Sequence, residues 1–291
     1  MNKDKFWKLL GDLLVYGICI IAALITLVPL LHILALSLAD QKLVIAKDVF
    51  LIPWGLNFES YKLVVNNPSF LTAYGNTIWV TVIGTLLNLL TTFTLAYPLS
   101  QKNFCLRRPI MLAITFTMFF SGGLIPSYIV VSKMGLIGSR WAMIIPSAIS
   151  TWNLIITRTF FENIPDSLFE SARLDGASEM TILFKIVLPV STTIIAVMTL
   201  YYAVAQWNTY MSAILYVTDS KMHPLQVFLR RVLLQGSEEM AVGMQVGSAR
   251  DMAVHQLKYS AIIMTILPIV CIYPFLQKYF VKGVMIGAVK G

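Results

Sequence analysis

At 291 residues, with 57% hydrophobic and only 12% charged side chains and a mean hydropathy of +0.76, the chain carries far less charge than the roughly one quarter usual in a soluble domain. That composition excludes an ordinary water-soluble fold and makes the membrane the natural solvent. The net charge of +8 does not indicate nucleic acid, because Lys and Arg sit at the ends of apolar runs instead of forming one patch, as membrane topology requires.

In chain order, no Asp, Glu, Lys or Arg occurs in 13–39, 63–101, 109–132, 141–157, 186–218 or 259–277. A helix needs about 20 mostly apolar residues to cross a bilayer, and backbone groups in lipid must be satisfied within it. The pattern therefore predicts an all-α integral membrane protein with six transmembrane helices. The first window is too long for the apolar core of a cleavable signal and lacks a small-x-small site. Pro29 within it predicts a kink. The fourth window is short and ends at Arg158, placed to snorkel at the boundary.

Lys3, Lys5 and Lys8, with Lys102, Arg107 and Arg108, set both termini on the cytoplasmic side by the positive-inside rule. Two outer segments are then long. The first, 40–69, has turn signals at Pro53-Trp54-Gly55 and Asn66-Asn67-Pro68. The second, 211–257, contains Pro224 to Arg231, which reads as a short amphipathic helix, followed by Gly236-Ser237-Glu238-Glu239. The predicted division is 1–69 (tail, first span and outer loop), 70–282 (five further spans) and 283–291 (cytoplasmic tail). Cys19, Cys105 and Cys271 are scattered and expected to be small buried residues. With His32, His223 and His255 equally far apart, neither a disulfide framework nor a metal site is expected.

One polar stretch interrupts the apolar pattern. Asn163-Ile164-Pro165-Asp166 reads as a helix start, with Pro at the first position and an acid at the positive end of the dipole. The helix should run to about Leu174, burying Leu168, Phe169 and Ala172 on one face. Asp175-Gly176 should stop it, since glycine takes the left-handed conformation of a C-cap. Ser178 then caps a second helix with Glu179 in its first turn, leading through Ile186, Leu188 and Pro189 into the fifth span. The product is a helix–turn–helix elbow projecting from the membrane. An interfacial helix resting on lipid is the alternative, disfavoured by Arg173 being the single base beside Asp166 and Glu170.

Glu170-x-Ala172-x-x-Asp175-Gly176-Ala177, followed by Ile186-x-Leu188-Pro189, resembles the EAA motif of permease subunits of bacterial ATP-binding-cassette importers. Ser171 replaces the usual second alanine, a conservative change for a small buried position, and Thr193 stands near a customary later proline. Ser121-Gly122-Gly123-Leu124-Ile125-Pro126, Gln206-Trp207-Asn208, Pro224-Leu225-Gln226 and the tail from Lys278 to Gly283 resemble the sugar-importing branch, the maltose-type second permease and its complex-oligosaccharide relatives. The resemblance spans nearly all of the chain.

It implies a type I importer fold, with a coupling helix at about 165–182 in which Glu170, Ala172, Asp175, Gly176 and Ala177 engage an ATPase subunit. The implied partners are a second homologous permease, two cytoplasmic ATPase subunits using ATP and Mg, an extracellular solute-binding (lipo)protein, membrane lipid and an oligosaccharide. The implied location is the bacterial cell membrane. This chain lacks a phosphate-binding Gly-rich loop, so no cofactor of its own, no catalytic residue and no enzyme activity are expected.

Polar and aromatic residues within spans are the candidates for the substrate pathway: Tyr128, Trp152, Asn153, Trp207, Asn208 and Tyr210. For each, an interfacial aromatic belt or helix–helix packing is the competing reading. A permease for a peptide or amino acid is the alternative function. An integral-membrane enzyme or an ion-coupled transporter would need intramembrane ionisable groups, which the charge-free windows do not offer.

Overall fold

The computed structural model describes residues 3–46, 48–234 and 256–274. Among these residues the regular structure is entirely helical. The chain divides into two compact units: 1–68 with 229–267, and 69–228 with 268–291.

In the first unit, α1 (Lys3–Leu38) runs through Pro29 as one helix. Short helices α2 (Gln41–Ala46) and α3 (Glu59–Val65) follow. The predicted turn at Pro53-Trp54-Gly55 is present. Gly55 has φ +69°, and the Trp54 carbonyl accepts from the Asp40 N–H at 2.9 Å. Ala35, Leu36, Ala39 and Val49 form a small core. The Gln256 amide donates to the carbonyls of Leu36 and Ala39.

The second unit is organised on α4 (Pro68–Ser100). After it come α5 (Arg107–Phe119), α6 (Leu124–Lys133), the single-turn α7 (Trp141–Ile144) with a 3₁₀ turn at Ile145–Ser147, and α8 (Thr151–Glu162). The elbow consists of α9 (Asp166–Leu174) and α10 (Glu179–Val190), the latter containing a π turn at Leu183–Val187. Then come α11 (Thr192–Trp207) and α12 (Met211–Tyr216); α13 (Leu225–Leu234) and α14 (Gln256–Pro274), which closes the described residues, each have residues in both units.

The windows differ in how they fold. Gly11–Leu38, Pro68–Ser100 and Gln256–Pro274 are single helices long and apolar enough to cross a membrane. The fifth window is broken, because α10 and α11 meet at 88°. Its causes are local: Pro189 lacks a donor and the π turn upstream misaligns the ladder. Windows 109–132 and 141–157 were each expected to be one helix, and each is interrupted. Phe120 is extended and Gly123 has φ +83° between α5 and α6. The other breaks at Ile145–Ser147 and at Ser150, which caps α8 by accepting from the Asn153 N–H. Lack of charge marks these stretches as apolar but says nothing about continuity, which glycine, proline and serine decide.

One more expectation is corrected: all three cysteines are exposed on the surface of the chain instead of buried. Arg158, placed by the sequence at the end of its window, donates from its Nε to the Leu99 carbonyl at 3.0 Å and pairs its guanidinium with Glu162 at 2.5 Å. The amphipathic helix predicted after Pro224 is present as α13. Gly236–Glu239, His255 and the stretch 278–291 lie outside the described residues.

With no hydrophobic drive between helices in lipid, polar contacts and close packing hold a bundle together. The seam of α4 supplies both. Asn88 donates to the Ser147 carbonyl at 2.5 Å and accepts from the Gln206 amide at 2.8 Å. Thr91 reaches the Ala148 carbonyl, and Thr92 pairs with the Tyr202 hydroxyl at 2.6 Å. Gly84 lets the Gln206 side chain approach so closely that a Cβ there would stand 2.7 Å from its Cδ.

Candidate coupling elbow

The predicted elbow is present. Asp166 is the first residue of α9, while Pro165 stands one place earlier than expected, extended at the N-cap position. At the other end the Ala177 N–H donates to the Ala172 carbonyl and the Gly176 N–H to the Arg173 carbonyl, both at 3.0 Å. These are the two bonds of a Schellman stop, and they require Gly176 at φ +77°. Ser178 then accepts from the Thr181 N–H and opens α10.

Phe169 and Ala172 are buried in a core with Phe93, Leu99, Leu154 and Phe161 from α4 and α8. Leu168, expected beside them, is 41% exposed. Ser171 is exposed too, not buried as its place in the motif suggested. Its hydroxyl is folded back onto the Ser167 carbonyl at 2.8 Å, leaving a compact surface. Glu170, Leu174, Asp175, Gly176 and Met180 are exposed, with Leu174 at 89%, and Ala177 is part-buried. The elbow thus offers an apolar tip flanked by two carboxylates.

A clamp unseen in the sequence fixes this tip to the end of α4. Arg173 donates from Nε to Glu179 Oε1 at 2.9 Å and from its terminal nitrogen to Gln101 Oε1 at 3.1 Å. The Tyr97 hydroxyl donates to Glu179 Oε2 at 2.5 Å. One ion pair therefore spans the turn, joining α9 to α10 and both to α4. Hydrogen bonds from Arg173, then Tyr97, hold the Glu179 carboxyl below its ordinary value of 4.5. The bond to Glu179 raises Arg173 further above its own. Nearby, Arg107 and Arg158 share Glu162, and Lys102 pairs with Asp166 at 2.8 Å on the surface.

The pathway candidates do not converge on one another through the contacts described. Trp207 is buried edge-on to Tyr74, with ring centroids 5.9 Å apart. Asn208 bonds back to the Val204 carbonyl and accepts from the Gln226 amide at 3.1 Å. Tyr210 packs beside the Val80–Met143–Ala213 core. Tyr128 stacks on Tyr216 at 6.0 Å. Trp152 is 60% exposed, whereas its neighbour Asn153 is buried. Among the described residues no group of three or more His, Cys, Asp and Glu could hold a metal ion.

Residues 89–286, elbow included, match the family described as "Binding-protein-dependent transport system inner membrane component". The chain belongs to that family. It is 41% identical over 97% of its length to the polygalacturonan/rhamnogalacturonan transport system permease protein YtcP of Bacillus subtilis, covering 99% of that protein. It is also 41% identical to protein LplC of the same organism, over 92% of this chain and 90% of the other. In structure it matches a chain of a bacterial ABC transporter that imports the acidic polysaccharide alginate, with a TM-score of 0.84, 31% identity, and coverage of 96% of this chain and 98% of that one. The permease is accordingly a membrane transport component and not an enzyme.

Proposed function

We propose that this permease is one of two membrane-spanning subunits of an ATP-driven oligosaccharide importer. It crosses the bilayer six times, two of the crossings being made by the interrupted α5–α6 and α7–α8 segments and one by the bent α10–α11. The elbow lies on the cytoplasmic side, where Lys102, Arg107, Arg158 and Arg173 gather as the positive-inside rule requires.

The observation that carries this reading is the elbow itself: a Schellman-closed turn that leaves Glu170, Leu174 and Asp175 outward while Phe169 and Ala172 anchor it inward. Such a tip fits a cleft on an ATPase subunit, which hydrolyses ATP with Mg; this chain supplies the attachment and the path. Glu170 and Asp175 make polar contacts there, Ala172 and Ala177 keep the tip close to the core, and Gly176 makes the turn. A solute-binding protein delivers the sugar to the opposite face. Trp207, Asn208 and Tyr210, with Tyr128, Trp152 and Asn153, are candidate pathway residues. The cargo assignment draws on the polysaccharide-importing relatives.

The test is reconstitution with a second permease, two ATPase subunits and the binding protein. Cysteines at Ser171 and in the ATPase cleft should form a cross-link, and labelled oligosaccharide should accumulate when ATP is supplied. Accumulation of peptides or amino acids instead would move the chain to the alternative cargo class. Absence of the cross-link in an actively transporting complex would remove the elbow from its role.

A further inference from the structure

Resting on the oligosaccharide reading, we propose that Arg140, on the platform of Trp79 and Trp141, is a carboxylate-recognition site that selects uronate-bearing sugars at the entry end of the permease. Asn76 and Tyr97 are separated along α4 by about 30 Å at a rise of about 1.5 Å per residue, close to the thickness of the hydrocarbon core. With the elbow cytoplasmic at Tyr97, the Asn76 end faces the side from which an imported solute arrives.

At that end the terminal nitrogen of Arg140 donates to Asn76 Oδ1 at 2.8 Å, and its guanidinium carbon lies 5.7 Å from the Trp79 ring centre. The Asn76 amide is buried and held from its other side by the carbonyls of Lys221 at 2.7 Å and His223 at 3.1 Å. Trp141 packs edge-on to Trp79 at 5.5 Å and is itself 45% exposed. The assembly is tied together by these contacts, but electrostatically incomplete. No described carboxylate pairs with Arg140, and its Nε is shielded from solvent without a described partner.

A half-buried guanidinium held by a neutral amide and a π face retains its full charge and its demand for an anion. A planar fork matches a carboxylate, and an exposed indole offers a face for the C–H surface of a sugar ring. A uronic acid presents both on one residue. Polygalacturonan and alginate, carried by two of the similar systems, are chains of such acids.

The test uses the assembled importer without its binding protein, titrated with trigalacturonate and with its fully methyl-esterified form, which keeps the shape and removes the charge. Wild type should bind the acid more tightly than the ester. R140Q should weaken the acid by about tenfold or more, the scale of a charge-assisted hydrogen bond, and leave the ester unchanged. Equal affinity of wild type for acid and ester would overturn the proposal, as would an unaltered acid affinity in R140Q. Equal loss for both probes would also overturn it, making Arg140 a structural or lipid-headgroup contact. If R140Q does not assemble, R140K takes its place: a loss of severalfold for the acid alone supports the site, and any other result overturns it. An importer that accumulates neutral oligosaccharides but binds neither probe sinks this site while leaving the proposed function intact.

Discussion

At the Tyr97 end of α4, Arg173 meets the Glu179 carboxylate and an amide, and a tyrosine hydroxyl donates to the same carboxylate; at the Asn76 end, Arg140 meets one amide and an indole ring. Both arginines tie a neighbouring segment to the same helix. The first is neutralised within the chain, so in the proposed importer it serves as a joint that is complete before any partner arrives. The second meets no described carboxylate, which suits a group waiting for something brought from outside. The contrast separates a fixed joint from a receiving surface, although either residue in isolation reads as an interfacial base.

The comparison can be attacked first at Gly176. A Cβ there meets no atom of this chain within 4 Å, so the first cost of Gly176→Val within the elbow is conformational. The left-handed backbone costs a branched residue about 1–2 kcal/mol. Gly176→Pro also removes the N–H bound to Arg173 and should do more. We expect uptake to fall by an order of magnitude or more while the ATPase subunits still turn over and the protein remains inserted. Normal uptake by Gly176→Pro would show that the turn is not part of the joint.

The clamp comes next. Arg173→Glu and Glu179→Arg should each lower coupled transport severalfold, and the double exchange should restore much of it. The pair is 37% and 58% exposed, and exposed pairs contribute at most about 1 kcal/mol, so the effect should be smaller than at Gly176. A double variant no better than the singles would indicate that the two residues act independently.

A smaller effect belongs to the seam between the two ends. Gly84→Ala should push Gln206 off Asn88, lowering thermal stability by about 1 kcal/mol, the worth of one such bond. An unchanged melting temperature would mean that Gln206 finds another partner at no cost.

The smallest concerns pH. Glu179 is held below 4.5, so its contribution is fully present above that value and is lost as pH falls through its lowered native value. Coupling of ATPase to transport should therefore show no pH dependence from this pair between about pH 5 and 8. A loss near pH 6 that disappears in Glu179→Gln would contradict the assignment.

The elbow was the most legible part of the molecule because its signals are local. Pro165, Gly176 and Ser178 act on their own backbone, and α9 ends at Leu174 as expected. The clamp was not legible, since Gln101 and Arg173 are brought together only by tertiary packing. The seam of α4 was partly so: Asn88 stands out as an amide within a charge-free window and does join two other segments, but nothing in the sequence marks Gln206 as its partner. Continuity of the apolar windows was overestimated where charge alone was counted. Gly122-Gly123 and Pro146, present all along, carry the signal for the breaks. Nothing in the sequence singles out Arg140, because only the fold reveals that no described carboxylate meets it.

The right-angled meeting of α10 and α11 has a mechanical consequence. Two stiff arms at 88° form a bell crank, which turns a displacement along one axis into a displacement along the other. α11 is pinned to α4 through Tyr202 and Gln206. In the proposed importer, a stroke delivered to the elbow along the membrane normal would thus emerge as a sideways load on α4, the helix whose far end holds Arg140 through Asn76. A straight helix in that place would keep the same stroke on a single axis.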